Sequence, residues 1–361
     1  MDRPVNIAIL GLGWPGRMHA QAIDACPTTH LAAACDLDAG RRTEFQTQYP
    51  GAAAFDDYQK MLSMPDIDAV IVGLPNFLHY QMTLDGLKAG KHVLCEKPPT
   101  MHAAEMAQLK EEAERQGKVY MFGRQMRFDR HAVRARRIVQ EGRLGEIYYS
   151  RTGWIRSRGI PGGLDGWFTQ KKRSGGGALI DLGVHCLDDA WFLMGCPKPV
   201  TVTGRASKLF AHTSRNPDQM DVDDVAFATV RFENQAMLHL EVSWAGNYPG
   251  EYDPSGQANP DRPPAKRDKR FTTLFGTKGT VSVRPFELVE EIGGIPSDVD
   301  LSATPRSQTE DLFLDQMQNF SAACRGVEAP LNTAEQALEL MEMLDAIYKS
   351  SETGREVVVA H

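Results

Sequence analysis

The fold is decided near the start of the chain, in the stretch Val5-Asn6-Ile7-Ala8-Ile9-Leu10-Gly11-Leu12-Gly13-Trp14-Pro15-Gly16. The first six residues are mostly apolar and predict a short buried strand. The next six form a glycine-rich turn, and a helical pattern follows over residues 17–25. Pro15 suits the first turn of this helix, where its missing N–H is not needed. A strand that runs through such a turn into a helix predicts the start of a parallel α/β sheet.

Apolar runs and helical patterns then alternate as far as about residue 122. The predicted strands of this part cover residues 31–35, 69–72, 92–95 and 119–122, with helical patterns between them. This alternation predicts a parallel sheet with helices on both faces. We therefore assign residues 1–123 to a first domain.

The pattern changes after a predicted helix over residues 131–141, because the later strands come without helices between them. They include residues 147–155, 200–204, 225–232, 236–244, 271–275 and 280–283. Such a run favours an antiparallel sheet with one covered face. Residues 249–264 are dense in Pro, Gly, Asp and Asn and predict a long loop. Helices over 309–323 and 333–350 complete a second, α+β domain over residues 124–361, and we expect the last helix to pack back on the first domain.

Composition restricts the class of protein. A chain of 361 residues suggests two domains, and 42% apolar with 24% charged residues is typical of a globular protein. The net charge of -7 gives no reason to expect a nucleic-acid partner. The six cysteines form no CxxC pair, which favours reduced thiols. We see no secretory signal and no apolar stretch of the ~20 residues that would span a bilayer, so we expect no membrane partner and a cytoplasmic location.

The glycine-rich turn predicts a dinucleotide site. Its three glycines have the spacing G-x-G-x-x-G, and Asp36 lies 20 residues after the last of them, at the end of the next strand. Glycines let the backbone approach a pyrophosphate, and the Asp36 carboxylate would accept hydrogen bonds from a ribose hydroxyl. The same carboxylate would repel a 2′-phosphate, which favours NAD, although Arg41 and Arg42 leave NADP open. The residues assigned to this site are Gly11, Gly13, Trp14, Pro15, Gly16 and Asp36.

Lys97 is the first candidate for chemistry. It belongs to the sequence Cys95-Glu96-Lys97-Pro98, which follows the apolar run His92-Val93-Leu94. The pattern puts a lysine at the carboxyl end of a buried strand, where ligands bind in open parallel sheets.

A second signal is the segment Gly175-Gly176-Gly177-Ala178-Leu179-Ile180-Asp181-Leu182-Gly183-Val184-His185. Asp181 and His185 are four residues apart, so on a helix they lie on one face, one turn from each other. A metal site formed by Asp181, His185 and Asp188 is the weaker interpretation, because no second histidine or thiolate has ligand spacing. We predict no metal.

Four motifs together resemble the glucose–fructose oxidoreductase and inositol dehydrogenase (Gfo/Idh/MocA) family. They are Gly11-x-Gly13-x-x-Gly16, Leu74-Pro75-Asn76-x-x-His79, Glu96-Lys97-Pro98 and Asp181-x-x-x-His185. The resemblance covers nearly the whole chain. It implies a Rossmann domain followed by an α+β domain whose open antiparallel sheet mediates homodimers or homotetramers.

The resemblance also implies roles for individual residues. Lys97 matches the active-site lysine of the family, and Asp181 and His185 match its acid/base pair. The corresponding Lys–Pro bond of the family is often described as cis, and the resemblance leaves both isomers open for Lys97–Pro98. The residues that match the cofactor side are Leu74, Pro75, Asn76, His79, Glu96 and Lys97.

Oxidation of a secondary alcohol needs a base within hydrogen-bond reach of the hydroxyl group while hydride leaves the carbon. We assign His185 as the acid/base, Lys97 as the group that positions and polarises the hydroxyl, and Asp181 as support for both. Lys97 as the proton acceptor remains open. Three residues are candidates for the substrate side, namely Arg127, Arg156 and Trp167.

The predicted function is NAD(P)-dependent oxidation of a sugar, sugar derivative or cyclitol. A first alternative is a glycosidase that retains NAD, oxidises the sugar transiently, eliminates a group and re-reduces the product. A second is a regulatory protein that binds NAD without turnover. Intact Lys97, Asp181 and His185 argue against this second alternative.

Overall fold

The computed structural model describes residues 3–162, 164–247, 268–300 and 311–360. The chain divides into two compact units. Unit 1 consists of Met1–Phe128 and Thr309–Leu338, and unit 2 of Asp129–Gln308 and Glu339–His361. The loop predicted for residues 249–264 lies outside the described residues. Residues 309–338 were assigned to the second domain from the sequence, but they cluster with unit 1 because their apolar side chains complete its core.

The described part of unit 1 contains a six-stranded parallel sheet with the order β3-β2-β1-β4-β5-β6. Its strands are β1 (Val5–Leu10), β2 (Thr29–Cys35), β3 (Ala53–Phe55), β4 (Ala69–Val72), β5 (His92–Glu96) and β6 (Tyr120–Gly123). The order reverses between β1 and β4. In sheets of this kind, the carboxyl ends of the strands at the reversal form the crevice for a dinucleotide. The predicted parallel sheet is confirmed.

The helices of unit 1 connect these strands. They are α1 (Trp14–Ala25), α2 (Ala39–Gln48), α3 (Tyr58–Leu62), α4 (Asn76–Lys88) and α5 (Ala103–Gln116), joined by α9 (Leu312–Cys324) and the first turn of α10 (Ala334–Thr353). Asp311 caps α9 by accepting hydrogen bonds from two backbone N–H groups. Phe313, Met317 and Phe320 of α9 enter the same apolar core as β1 and β4. Full burial of such side chains contributes roughly 1.5–3 kcal/mol each.

Unit 2 contains, among its described residues, a nine-stranded sheet with the order β14-β13-β12-β11-β7-β10-β9-β8-β15. Its strands are β7 (Ile147–Ile155), β8 (Pro199–Ser207), β9 (Val225–Phe232), β10 (Met237–Ser243), β11 (Lys269–Gly276), β12 (Gly279–Val283), β13 (Phe286–Ile292), β14 (Ile295–Asp298) and β15 (Val357–Val358). β7 and β10 are parallel and the other pairs are antiparallel. This confirms the predicted fold class.

One face of the unit 2 sheet carries a helical segment. A π-helical turn over Leu179–Gly183 leads directly into α8 (Val184–Leu193), and both contact β7 and β10. Unit 2 also contains α6 (Arg130–Gln140), α7 (Lys171–Ser174) and the larger part of α10. On this face β10 contributes Leu238, Leu240 and Val242, all fully buried. The core therefore lies between β10 and the segment that carries Asp181 and His185. No helix in the described ranges is long and apolar enough to cross a bilayer.

Candidate active site

The glycine turn of unit 1 fits a bound dinucleotide. A Cβ atom on Gly16 would collide with the carbonyl oxygen of Gly11, and one on Gly11 would lie 2.7 Å from the carbonyl oxygen of Gly73. Both glycines are therefore required by the protein itself. A Cβ on Gly13 would meet only a Pro15 carbon at 3.8 Å, so protein packing does not explain this glycine. Close approach of a pyrophosphate does explain it.

Asp36 lies at the carboxyl end of β2, next to this turn. Its Oδ2 accepts a hydrogen bond of 2.8 Å from the backbone N–H of Leu12, which fixes the carboxylate against the glycine turn. Arg41 approaches the same oxygen at 3.4 Å, and Arg42 donates to the Asp36 carbonyl oxygen at 2.8 Å. The Asp36 carboxylate therefore lies where the sequence predicts a ribose contact. Arg41 is the cation that would meet a 2′-phosphate.

Lys97 follows β5 and is partly exposed, at the carboxyl edge of the sheet, as the sequence predicts. The Lys97–Pro98 bond is cis. Next to it, the buried His79 ring joins two loops, because Nδ1 lies 2.7 Å from the Pro98 carbonyl oxygen and Nε2 lies 2.6 Å from that of Leu74. Burial lowers the pKa of His79, although the two carbonyl oxygens counteract it. Both ring nitrogens are thus engaged by the protein, and His79 holds the Lys97 loop.

Both carboxylate oxygens of Glu96 also contact groups of the protein. Its Oε1 lies 2.8 Å from Nε2 of His19, and its Oε2 accepts from the Lys97 N–H at 3.3 Å. Burial would raise the pKa of Glu96, but the hydrogen bond from His19 and the charges of His19 and Lys97 outweigh it, and the pKa lies below its usual range. The His19 ring also packs edge-on against Phe313 at 5.0 Å. Lys97 therefore lies between two anchored neighbours, Glu96 and Pro98.

In unit 2, a buried carboxylate holds the segment between the glycines and Asp181. Asp223 accepts from the N–H groups of Gly177 at 2.8 Å and Leu179 at 2.9 Å, and from the hydroxyl of Tyr348 at 2.8 Å. Burial raises the pKa of Asp223 although these three donors lower it. A Cβ on Gly177 would collide with the backbone of Asp223, and one on Gly176 would collide with the Tyr348 hydroxyl. Glycine is required here by packing against the Asp223–Tyr348 pair.

Asp181 lies in the π-helical turn that follows. Its Oδ2 contacts side chains from the ends of two strands of the sheet. The indole N–H of Trp244 donates to this oxygen at 2.9 Å, and Nη1 of Arg156 lies 3.5 Å away. Trp244 is fully buried at the end of β10. π-Helical turns are rare and are often found at functional sites. Arg156, predicted on the substrate side, thus contacts a predicted catalytic residue.

His185 lies one turn further along, on α8, and is buried. Its ring contacts Trp154 of β7 at a centroid distance of 5.8 Å. The guanidinium carbons of Arg156 and Arg270 lie 4.8 and 4.6 Å from the Trp154 ring centroid. Arg270 also donates to Asp189 at 2.9 Å. The helical segment therefore presents a carboxylate, an imidazole and a second carboxylate at intervals of four residues, above an indole flanked by guanidinium groups.

Two predicted substrate residues have other neighbours. Arg127 is buried, donates to the Leu331 carbonyl oxygen at 2.9 Å and to Gln336 at 2.5 Å, and so has contacts that support a structural role. Trp167 stacks on Phe168 at 3.9 Å. The remaining predicted cofactor residues lie where β4 and β1 end, with Leu74 and Pro75 preceding α4, Asn76 buried at its start and Trp14 exposed at the start of α1.

Sequence reasoning missed His19, Trp154, Trp244 and Tyr348. His19 falls three residues after Gly16, but nothing in that spacing predicts that it contacts Glu96. Trp154 and Trp244 lie in strands, where an aromatic residue is ordinarily core. Tyr348 is separated from Asp223 by 125 residues. Only three-dimensional contact identifies these four residues.

Comparisons with known sequences identify related proteins. Residues 5–124 match a family described as an oxidoreductase family with an NAD-binding Rossmann fold. Residues 132–282 match the GFO/IDH/MocA C-terminal domain.

Similar proteins include D-glucoside 3-dehydrogenase of Escherichia coli, which is 30% identical over 98% of this chain and 97% of its own length. The NADP(+) scyllo-inositol 2-dehydrogenase IolW of Bacillus subtilis is 30% identical over 58% of this chain and 57% of its own. Among solved structures, levoglucosan dehydrogenase in complex with NADH has a TM-score of 0.83 at 20% identity. It covers 99% of this chain and 100% of its own, and it shows the same fold.

Proposed function

The chain belongs to the Gfo/Idh/MocA family of NAD-binding oxidoreductases, and from this we propose that it oxidises a secondary hydroxyl group of a sugar, sugar derivative or cyclitol with NAD. D-Glucosides are the first substrate class to test, because a relative that is 30% identical along nearly the whole chain is named a D-glucoside 3-dehydrogenase. NADP stays an alternative cofactor because Arg41 lies beside Asp36.

One observation carries this proposal. The Asp181 carboxylate is fixed by Trp244 and Arg156, and it stands one turn from His185 on the same helical segment. An imidazole with a carboxylate one helical turn away can remove the proton of a hydroxyl group that lies within hydrogen-bond reach. A purely regulatory nucleotide-binding protein has no need of such a pair.

Unit 1 supplies the residues that would hold the dinucleotide. Gly13 would leave room for the pyrophosphate, the N-terminus of α1 would offer it N–H groups, and Asp36 would accept from the ribose. Bound NAD would supply the hydride acceptor. The Lys97 ammonium group donates to the hydroxyl oxygen and stabilises the negative charge that develops there. The loops on both sides of Lys97 are held by His79 and Glu96.

Unit 2 supplies the proton acceptor. A neutral His185 takes the hydroxyl proton on a ring nitrogen, and its contact with Trp154 limits the orientations of the ring. Asp181 accepts a hydrogen bond from a neighbouring hydroxyl or from the imidazolium that forms. Arg156 lies against the same carboxylate, so it restricts which sugars fit beside Asp181.

The test is the near-ultraviolet absorbance of NADH. Purified protein is incubated with NAD, then with NADP, across methyl glucosides, aldoses, levoglucosan, sugar acids and inositols. We expect one class to give NADH, and Lys97→Met and His185→Ala to abolish the signal while NAD binding stays within a few-fold. Lys88→Met, an exposed lysine on α4, is the matched control and should keep the wild-type rate.

Two results would contradict the proposal. A full rate in Lys97→Met would remove Lys97 from the reaction. A flat trace across the panel, with NAD still bound, would favour the NAD-retaining glycosidase if glycosides are cleaved, and the regulatory protein if they are not.

We also propose that the second face of the unit 2 sheet forms a homodimer or homotetramer. This face carries Tyr149 stacked on Phe275 at 5.5 Å and an ion pair of 2.8 Å between Arg151 and Glu241. Phe227 on the same face is 43% exposed. Size-exclusion chromatography with light scattering would measure the molar mass. Phe227→Glu should lower it to the mass of the monomer. A monomeric wild-type protein at micromolar concentration would contradict this proposal.

A further inference from the structure

We infer that Trp244 is a positioning residue for the reaction and that it acts by orienting the Asp181 carboxylate. The inference rests on the proposed function, because it assumes that Asp181 takes part in turnover. Nothing in the sequence motifs points to Trp244.

Backbone hydrogen bonds hold Trp244 and the residue that follows it. The backbone N–H of Trp244 donates to the Asp224 carbonyl oxygen at 2.8 Å, and the next residue, Ala245, donates its N–H to the Ser243 hydroxyl at 3.1 Å. The indole is fully buried, so its N–H direction is set by packing. An indole N–H can only donate, and its acceptor here is Oδ2 of Asp181 at 2.9 Å.

The acceptor distinguishes this contact from ordinary core packing. A buried indole N–H needs one acceptor, and a backbone carbonyl is enough. Trp191 of α8 shows this case, since it is fully buried and donates to the Pro197 carbonyl oxygen at 2.8 Å. Trp244 instead donates to a carboxylate, and hydrogen bonds to ionised acceptors are roughly twice as strong as neutral ones.

The position of Asp181 makes such a donor useful. Asp181 stands in the π-helical turn, and Arg156 lies 3.5 Å from the same Oδ2. The indole N–H at the end of β10 and the Arg156 guanidinium at the end of β7 both lie against this one oxygen and restrict its position. Trp244→Phe removes the shorter of these two contacts. We therefore expect Asp181 to keep its charge and lose its orientation when Trp244 is replaced.

The first experiment needs no substrate. The protein is labelled with 15N-tryptophan, and the indole resonances of its five tryptophans are assigned by Trp→Phe variants. In Asp181→Asn the charged acceptor is lost, so we expect the Trp244 indole proton to move to higher field. The Trp191 resonance is the internal control and should not move. If the Trp244 resonance does not move, the indole does not donate to Asp181 and the inference is wrong.

The second experiment measures NADH formation from methyl D-glucopyranoside in a double-mutant cycle. Trp244→Phe removes the donor and keeps an aromatic ring, and we expect kcat/KM to fall about 10-fold. Trp191→Phe removes the same kind of donor from a backbone acceptor and is expected to stay within about 2-fold of wild type. In an Asp181→Asn background, Trp244→Phe should cause no further loss.

The outcomes separate the inference from the function on which it rests. An equal loss from Trp244→Phe with and without Asp181→Asn would mean that Trp244 does not act through Asp181. Full activity of Trp244→Phe, beside an impaired Asp181→Asn, would overturn the inference alone. Full activity of Asp181→Asn would instead remove Asp181 from the proposed reaction, whatever the NMR result.

Discussion

Replacement of His19 by phenylalanine tests whether the Glu96 carboxylate depends on its buried partner. In the native protein Nε2 of His19 lies 2.8 Å from Oε1 of Glu96, and both side chains are buried. Phenylalanine has a similar volume and can keep the edge contact with Phe313. It has no donor, so His19→Phe leaves a charge inside unit 1 with only the Lys97 N–H and ammonium group to compensate it.

The expected cost follows from the chemistry of the acceptor. Removal of one partner of a buried ion pair costs about 3–5 kcal/mol, because the other charge stays desolvated. Removal of one partner of a buried neutral hydrogen bond costs about 1–3 kcal/mol. His92, in the same unit, makes such a neutral hydrogen bond. Its Nδ1 accepts the Val119 N–H at 3.0 Å, at the other end of β5. We therefore expect His19→Phe to be more destabilising than His92→Phe.

Urea unfolding at neutral pH, followed by circular dichroism, measures the difference. A loss of this size lowers the midpoint of the unit 1 transition by about 1 M or more. His19→Phe/Glu96→Gln, in which the carboxylate becomes a neutral amide, should recover part of the loss. The loss of stability caused by His19→Phe should also be smaller at acid pH. The unpaired Glu96 carboxyl group is then protonated and leaves no buried charge.

Two outcomes would refute this reasoning. Equal losses for His19→Phe and His92→Phe would show that Glu96 does not carry an uncompensated charge. A double variant as unstable as His19→Phe would show that the lost packing of the imidazole, not the carboxylate, sets the cost.

Three further predictions concern other parts of the chain. Asp36→Ala should weaken NAD more than NADP in titrations of intrinsic fluorescence, and an equal effect on both would remove Asp36 from the ribose. Burial lowers the pKa of His92 to about 4, so the unfolded state binds more protons and stability falls as pH drops from about 6.5 towards 4. His92→Gln keeps an acceptor without titrating, so its urea midpoint should change less over that window. Gly177→Ala should abolish turnover by displacing Asp223, whereas Gly162→Ala, where a Cβ meets nothing within 4 Å, should not.

Much of the fold follows from local patterns in the sequence. The glycine turn and the alternating apolar runs predicted five of the six strands of unit 1, because each signal lies within a few residues of the element it defines, whereas the three-residue β3 was missed. β13 and β14 were not predicted, although Ile292-Gly293-Gly294-Ile295 is a recognisable hairpin turn.

The environment of the candidate site was less predictable, for a physical reason. Lys97 and His185 are named by motifs, but the groups that hold them come from distant segments. Trp244 reaches Asp181 across 63 residues, and His19 reaches Glu96 across 77. Such contacts depend on strand register and helix packing, which periodicity alone does not specify. His79 is also part of a motif, but the motif does not predict that both ring nitrogens contact carbonyl oxygens of the protein.

The return of α9 to unit 1 has a consequence for biosynthesis. Phe313, Met317 and Phe320 belong to the core of β1 and β4, yet Phe313 is made 190 residues after Gly123, the end of β6. At a translation rate of about 5–20 residues per second, the ribosome adds those residues in roughly 10–40 s. During that interval the nascent sheet exposes the apolar surface that α9 later covers. We therefore expect the amino-terminal part of unit 1, Met1–Phe128, to expose a surface that chaperones can bind until synthesis is almost finished.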